Sequence, residues 1–215
     1  ACSPLREYRQ SPEVKAWEPD IRQFEQLDSA RVYGTDAVLF VGSSSIRLWD
    51  DIAADMAPYP VIQRGFGGSK LSDVAVYAKR IIYPHPCRAV VLFVANDITG
   101  SESDKSPEEV ARLAAYVVKT VHARFPGTPV FWISTTPTAS RWQVWEQIKQ
   151  ANLLIEKLEK RDRNFHFIAT EEAFLNDKGM PREELFLSDR LHLNRDGYAI
   201  WAALIKAGLN AVLGN

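Results

Sequence analysis

Five short runs of β-branched and aromatic residues, 37–41 (AVLFV), 60–63 (PVIQ), 89–94 (AVVLFV), 130–134 (VFWIS) and 165–168 (FHFI), alternate with longer stretches whose apolar residues recur at helical spacing. No other feature constrains the fold as tightly. Runs that are apolar at nearly every position leave no face for water, so they predict strands buried on both sides. The stretches over 46–57, 71–82, 107–125 and 141–160, with a last one over 196–213, predict helices. Pro107-Glu108-Glu109 is a good helix opening, with proline in the first turn and carboxylates against the positive end of the dipole. Parallel neighbours need crossover connections, and helices are what join these strands. The predicted fold is therefore α/β, a parallel sheet between two helical layers. In such sheets ligands bind beyond the carboxyl ends of the strands, so chemistry is expected just after each run.

No linker and no internal repeat divides the 215 residues, and the expectation is an N-terminal arm over 1–30 followed by one domain over 31–215. Asp20 is expected to cap a short arm helix with Ile21, Phe24 and Leu27 on one face. A chain this long buries roughly 70% of its unfolded surface and needs neither disulfides nor a structural metal to hold a core. Lys and Arg number 26 against 27 Asp and Glu, so no basic field draws a nucleic acid, and no such partner is expected. The longest apolar run, 89–95, is far short of the ~18 residues of a membrane span, so no transmembrane segment is expected either. Cys2 and Cys87 lie outside any C-x-x-C, and with four scattered histidines they make no metal-ligand spacing; no metal is expected. The opening Ala1-Cys2-Ser3-Pro4 fits the scar of a bacterial lipoprotein signal. On that reading the protein is periplasmic or extracellular with a lipid anchor through Cys2; otherwise the expected location is cytoplasmic.

The strand ends carry four groups of residues. The first run leads into Gly42-Ser43-Ser44-Ser45 and a helix, which exposes a hydroxyl beside backbone N–H groups that could hold an oxyanion, although serines also cap helices. The second ends in Arg64-Gly65-Phe66-Gly67-Gly68-Ser69, where glycines let the backbone approach a ligand closely. The third ends in Val94-Ala95-Asn96-Asp97. Ahead of the last helix comes Ser188-Asp189-Arg190-Leu191-His192, whose carboxylate and imidazole stand three residues apart, close enough for Asp189 to accept from Nδ1–H and leave Nε2 facing a nucleophile. Together these supply a nucleophile, a base, an orienting carboxylate and oxyanion donors, the parts that acyl transfer requires.

In order and context the four groups resemble the motif blocks of the SGNH hydrolases, also called the GDSL esterase/lipase family, over about 36–201. The resemblance implies a three-layer, flavodoxin-like α/β/α sandwich with a five-stranded parallel sheet. It implies Ser44 as nucleophile, His192 as base and Asp189 as its orienter. The Ser44 and Gly68 backbone N–H groups and the Asn96 side chain would form the oxyanion hole, and no cofactor is needed. Two positions depart from the family pattern. Ser43 stands where the first block has aspartate and Val94 where the third has glycine, which bears on the packing of the turn and the width of the pocket. On chemistry alone Ser43 and Ser45 rival Ser44.

The glycine-rich loop does not read as a nucleotide site, because Lys70 stands where G-x-G-x-x-G needs its last glycine, and the G-x-S-x-G elbow of the α/β-hydrolases is absent. His85, His122 and His166 read as structural, Cys87 and Trp145 as core. Arg141 and Trp142, after the fourth strand, are expected in the pocket wall, suited to hydrogen bonding and stacking on a sugar ring. The polar segments over 99–106 and 135–140 favour an open site over the apolar lid of a lipase. The expected function is hydrolysis of short acyl esters, acetate to butyrate, of a carbohydrate or other polar alcohol. Lysophospholipid or thioester hydrolysis is the alternative within the class, and an inactive carbohydrate-binding or interaction module the alternative outside it.

Overall fold

In the computed structural model, which describes residues 5–214, all five expected strands form one parallel sheet. They are β1 (Val38–Gly42), β2 (Val61–Gly65), β3 (Ala89–Phe93), β4 (Val130–Ile133) and β5 (Phe165–Ile168), in the order β2-β1-β3-β4-β5. From β1 the chain moves outward to β2, then crosses back past β1 to β3 and continues to β5. The winding reverses beside β1, and a crevice opens beyond the carboxyl ends of β1 and β3.

Alternation along each strand divides the core into two layers. Leu39, Val41, Val90, Leu92, Val130 and Trp132 face the helices Leu71–Ile82, Pro107–Arg124 and Trp145–Glu156. Val38, Phe40, Val91, Phe93, Phe131 and Ile133 face the long helix Arg195–Leu213 together with the short helices Ser44–Arg47 and Ile52–Asp55. Ser106 caps its helix by accepting from Glu109 N at 3.2 Å, and Asn194 caps the last one by accepting from Asp196 N and Gly197 N, both at 3.0 Å.

Three helical expectations change. The stretch over 46–57 is two short helices, because Trp49 turns into the core between them and donates its indole N–H to Asp55 at 2.7 Å. The stretch over 141–160 is a regular helix only over Trp145–Glu156, flanked by tighter 3₁₀ turns, Ala139–Val144 and Lys157–Lys160. Asp20 is not a cap: with Pro19 in its first turn the arm helix starts earlier, spans Glu18–Ala30, and leaves Leu27 exposed.

Two further short helices, Arg6–Gln10 and Pro12–Lys15, precede it. Leu5, Val14 and Ile21 are buried in the first core layer, at about 1.5–3 kcal/mol for each such side chain. Arg80 adds ion pairs to Glu18 and Glu25, partly exposed and worth about 1 kcal/mol at most. Cys2 lies outside the described residues. Among those described, no helix is long and apolar enough to cross a membrane.

Candidate active site

Ser43 alone separates Ser44 from the end of β1. A Cβ on Gly42 would lie 2.0 Å from Phe93 O, so only glycine lets β1 pass this close to the end of β3, and Ser43 N then donates to Phe93 O at 3.1 Å. The turn buries Ser43 and Ser45 and leaves Ser44 half-buried at the head of Ser44–Arg47. Its Oγ lies 2.9 Å from His192 Nε2. Of the three serines, it is Ser44 that meets the imidazole.

His192 is held from behind by Asp189, whose Oδ2 lies 2.6 Å from Nδ1. The other carboxylate oxygen accepts the backbone N–H groups of Leu191 and His192, both at 2.9 Å. Burial acts to raise the pKa of Asp189, but these bonds, led by the His192 ring, outweigh it and hold the carboxyl below its ordinary range. The acid is therefore ionised throughout the neutral range. The loop is closed by Leu187 N donating to His192 O at 2.7 Å and by a bridge pairing Phe186 with Leu193. Arg190 turns the chain with φ +58° and ion-pairs with Glu183.

The other half of the site is built from the ends of β2 and β3. Gly67 has φ +40°, and a Cβ there would lie 2.3 Å from the Trp17 ring, so the arm packs against the glycine loop. Trp17 also donates its indole N–H to Asp73 at 3.1 Å, while Asp73 accepts Lys70 N at 2.7 Å. Beyond the loop, the Cβ position of Gly68 is 4.0 Å from Asn96 Nδ2. Asn96 Nδ2 donates to Ser69 O at 3.0 Å, which uses one of its two protons. The Ser44 and Gly68 amides donate to no protein acceptor among the described residues. Next to Asn96, buried Asp97 accepts Leu71 N at 2.8 Å and pairs with Lys105 at 3.0 Å, tying the end of β3 to the start of the helix Leu71–Ile82. Burial pushes the Asp97 carboxyl up, and Lys105 opposes the shift.

A cleft of about 390 Å³, counting the space open to solvent, is lined by Ser44, Asn96 and His192 together with Phe93, Thr135, Thr136, Phe186 and Trp201, whereas Gly68 lies outside this lining. Trp201 Nε1 donates to Thr136 Oγ1 at 3.2 Å and closes its floor. Val94 packs in the opposite core layer and is not among the residues that line the cleft. Arg141 lines the cleft as expected, but its guanidinium is engaged by Ala95 O and by Asn96 Oδ1, the latter at 2.7 Å. Trp142 does not line the cleft; it stacks on Trp145 at 5.9 Å and packs on the core. His122 is engaged by Thr128 O and Asp162, and His85 by Asp28. Burial pushes the Cys87 thiol up to about 11, which keeps it unreactive at neutral pH. Sequence reasoning missed the cleft wall from Phe186, Thr136 and Trp201, and the contact of Trp17 with the glycine loop.

The profile of the GDSL-like lipase/acylhydrolase family matches residues 32–200. Comparison with curated protein sequences gives no significant match. Among solved structures, a GDSL-like lipase from Bacteroides thetaiotaomicron is similar over 89% of this chain and 97% of its own, at 16% identity and TM-score 0.72. A carbohydrate esterase family 3 protein from Talaromyces cellulolyticus matches over 83% and 98%, at 14% identity and TM-score 0.63. A lipase/acylhydrolase from Enterococcus faecalis matches over 81% and 96%, at 17% identity and TM-score 0.61. At these identities the likeness is one of fold.

Proposed function

Given that the chain belongs to the GDSL-like lipase/acylhydrolase family, we propose that it is a serine esterase that works through an acyl-enzyme on short acyl esters, acetyl foremost, of a carbohydrate or other polar alcohol. The observation that carries this reading is the continuous relay from Ser44 Oγ through His192 to Asp189, in a cleft that Asn96 also lines.

His192 Nε2 takes the Ser44 proton as Oγ attacks the ester carbonyl, and Asp189 stabilises the imidazolium through Nδ1–H. Negative charge develops on the carbonyl oxygen, for which Ser44 N–H, Gly68 N–H and the second proton of Asn96 Nδ2 are the proposed donors. The C–O bond to the alcohol then breaks, and His192 returns its proton to the departing oxygen. Water enters, loses a proton to the same nitrogen and attacks the acyl carbon. The acid leaves, and Ser44 recovers its proton. Each step uses groups already oriented by backbone hydrogen bonds, so little reorganisation is needed.

The substrate class rests on the shape and lining of the site. Thr136 and Trp201, hydrogen-bonded to each other, line the cleft and leave it no deep apolar channel. Its threonines and the polar segments beyond β3 and β4 suit a hydrated alcohol better than a lipid tail. The test is a chain-length series of p-nitrophenyl esters with an acetylated sugar panel, run on the wild type and on Ser44→Ala. Expected is kcat/KM highest for acetate to butyrate and lost in the variant. A steady climb beyond eight carbons would overturn the carbohydrate reading in favour of lysophospholipid or thioester hydrolysis. No turnover of any ester by the wild type would favour an inactive binding module.

A further inference from the structure

We propose that Arg141 is a positioning residue for the oxyanion hole, and that it fixes which end of the Asn96 amide faces the reacting carbonyl. This rests on the esterase reading above. A primary amide can be turned end for end at little cost unless its neighbours distinguish oxygen from nitrogen. Here they do. Arg141 Nη2 donates to Asn96 Oδ1 at 2.7 Å, while Ser69 O accepts from Nδ2 at 3.0 Å. A guanidinium has only donors and remains protonated across the working pH range, so the contact with Oδ1 cannot be satisfied by the flipped amide. Flipped, Asn96 would set Nδ2 against the guanidinium and Oδ1 against Ser69 O, losing both bonds and turning an acceptor toward the developing oxyanion.

The second arm of the fork, Nη1, donates to Ala95 O in the same segment. Two acceptors from consecutive residues thus fix the plane of the guanidinium, a geometry that the single ammonium of lysine cannot reproduce. Burial lowers the pKa of Arg141, opposed by Asp104 and Asp97, in keeping with a cation committed to internal partners. With both arms engaged, its role differs from that of a surface arginine awaiting a sugar hydroxyl.

The test is a double-mutant cycle on p-nitrophenyl acetate using wild type, Asn96→Ala, Arg141→Met and the double variant, each checked by circular dichroism and thermal unfolding. Arg141→Met should lower kcat by about 10- to 100-fold with KM within about twofold. In the Asn96→Ala background the same change should alter kcat by less than about twofold, because the group through which it acts is gone. Millimolar guanidinium should restore part of the kcat of Arg141→Ala and none of that of Asn96→Ala. A rise in KM at unchanged kcat, or full additivity in the cycle, would overturn the proposal. If Arg141→Met does not fold, Arg141→Lys takes its place in the cycle, with the same coupling expected. Absence of turnover in the wild type would instead remove the esterase reading, and that arm is read first.

Discussion

The two halves of the site are built in opposite ways. The proton relay depends on one short loop and one serine: Asp189 and His192 are held by hydrogen bonds within the segment, and their side chains remain accessible to water. The proposed oxyanion half draws on the ends of three strands and is braced from far along the chain, by Trp17 on the glycine loop and by Arg141 on Asn96. Local hydrogen bonds can orient a base, because an imidazole needs only one fixed partner. Donors that must converge on a point in space need a scaffold behind each of them.

Substitutions in the two halves should therefore differ in size and in kind. Asp189→Asn should have the larger effect, lowering kcat by about 10³–10⁴, since the amide can present N–H to Nδ1 and favour the wrong imidazole tautomer. Its fold should be unchanged by circular dichroism, as the loop keeps its backbone bonds. Asn96→Ala should lower kcat by about 10²–10³ with little change in KM, the usual loss for one oxyanion donor. A fall confined to KM would mean that Asn96 only binds substrate. Trp17→Ala touches no reacting atom and should cost a few-fold in kcat, about one step below Asn96→Ala, because Gly67 loses the ring against which it packs. If Trp17→Ala left kcat unchanged, the arm would have no part in holding the oxyanion half.

The smallest effect expected is on stability. Burial lowers the pKa of His85, opposed by Asp28, and also that of His166. A histidine whose folded value lies below its unfolded value of roughly 6.5 takes up its proton more readily when unfolded. Its contribution is intact above that pH and is lost as pH falls through the window below it. His85 pairs with Asp28 on the arm helix at 3.2 Å, and Asp28 also pairs with buried Arg64 at the end of β2. Tm should thus decline as pH falls below about 6.5, and His85→Gln should flatten part of that decline. An unchanged slope in the variant would assign the effect to His166.

The same division explains what could be read from the chain itself. The strands were legible because runs of Val, Phe and Ile without alternation have few other places to go, and the observed strands fall within two residues of the expected ends. Asp189 and His192 were legible because three-residue spacing brings them together in any tight turn. Ser44 was singled out from Ser43 and Ser45 only by motif register, and burial of its two neighbours supplies the physical reason. The Arg141–Asn96 bond joins residues 45 apart in loops after different strands, and periodicity carries no information about such contacts. Arg141 and Trp142 are both expected in the pocket wall because only their position after β4 can be read; Arg141 lines the cleft and Trp142 does not. Trp17 was invisible for a similar reason: nothing in the arm sequence indicates that its ring lies against a glycine 50 residues later.

The proposal that Ser44 carries the acyl group is tested most directly by mixing enzyme with p-nitrophenyl acetate, quenching in acid within the first turnovers and locating the label by peptide mass spectrometry. The account predicts one acetyl group on Ser44, accumulating further in Asn96→Ala only if deacylation is slowed more than acylation, and absent in Ser44→Ala. An acetyl group on Ser43 or Ser45, or turnover by Ser44→Ala at the wild-type rate, would contradict it.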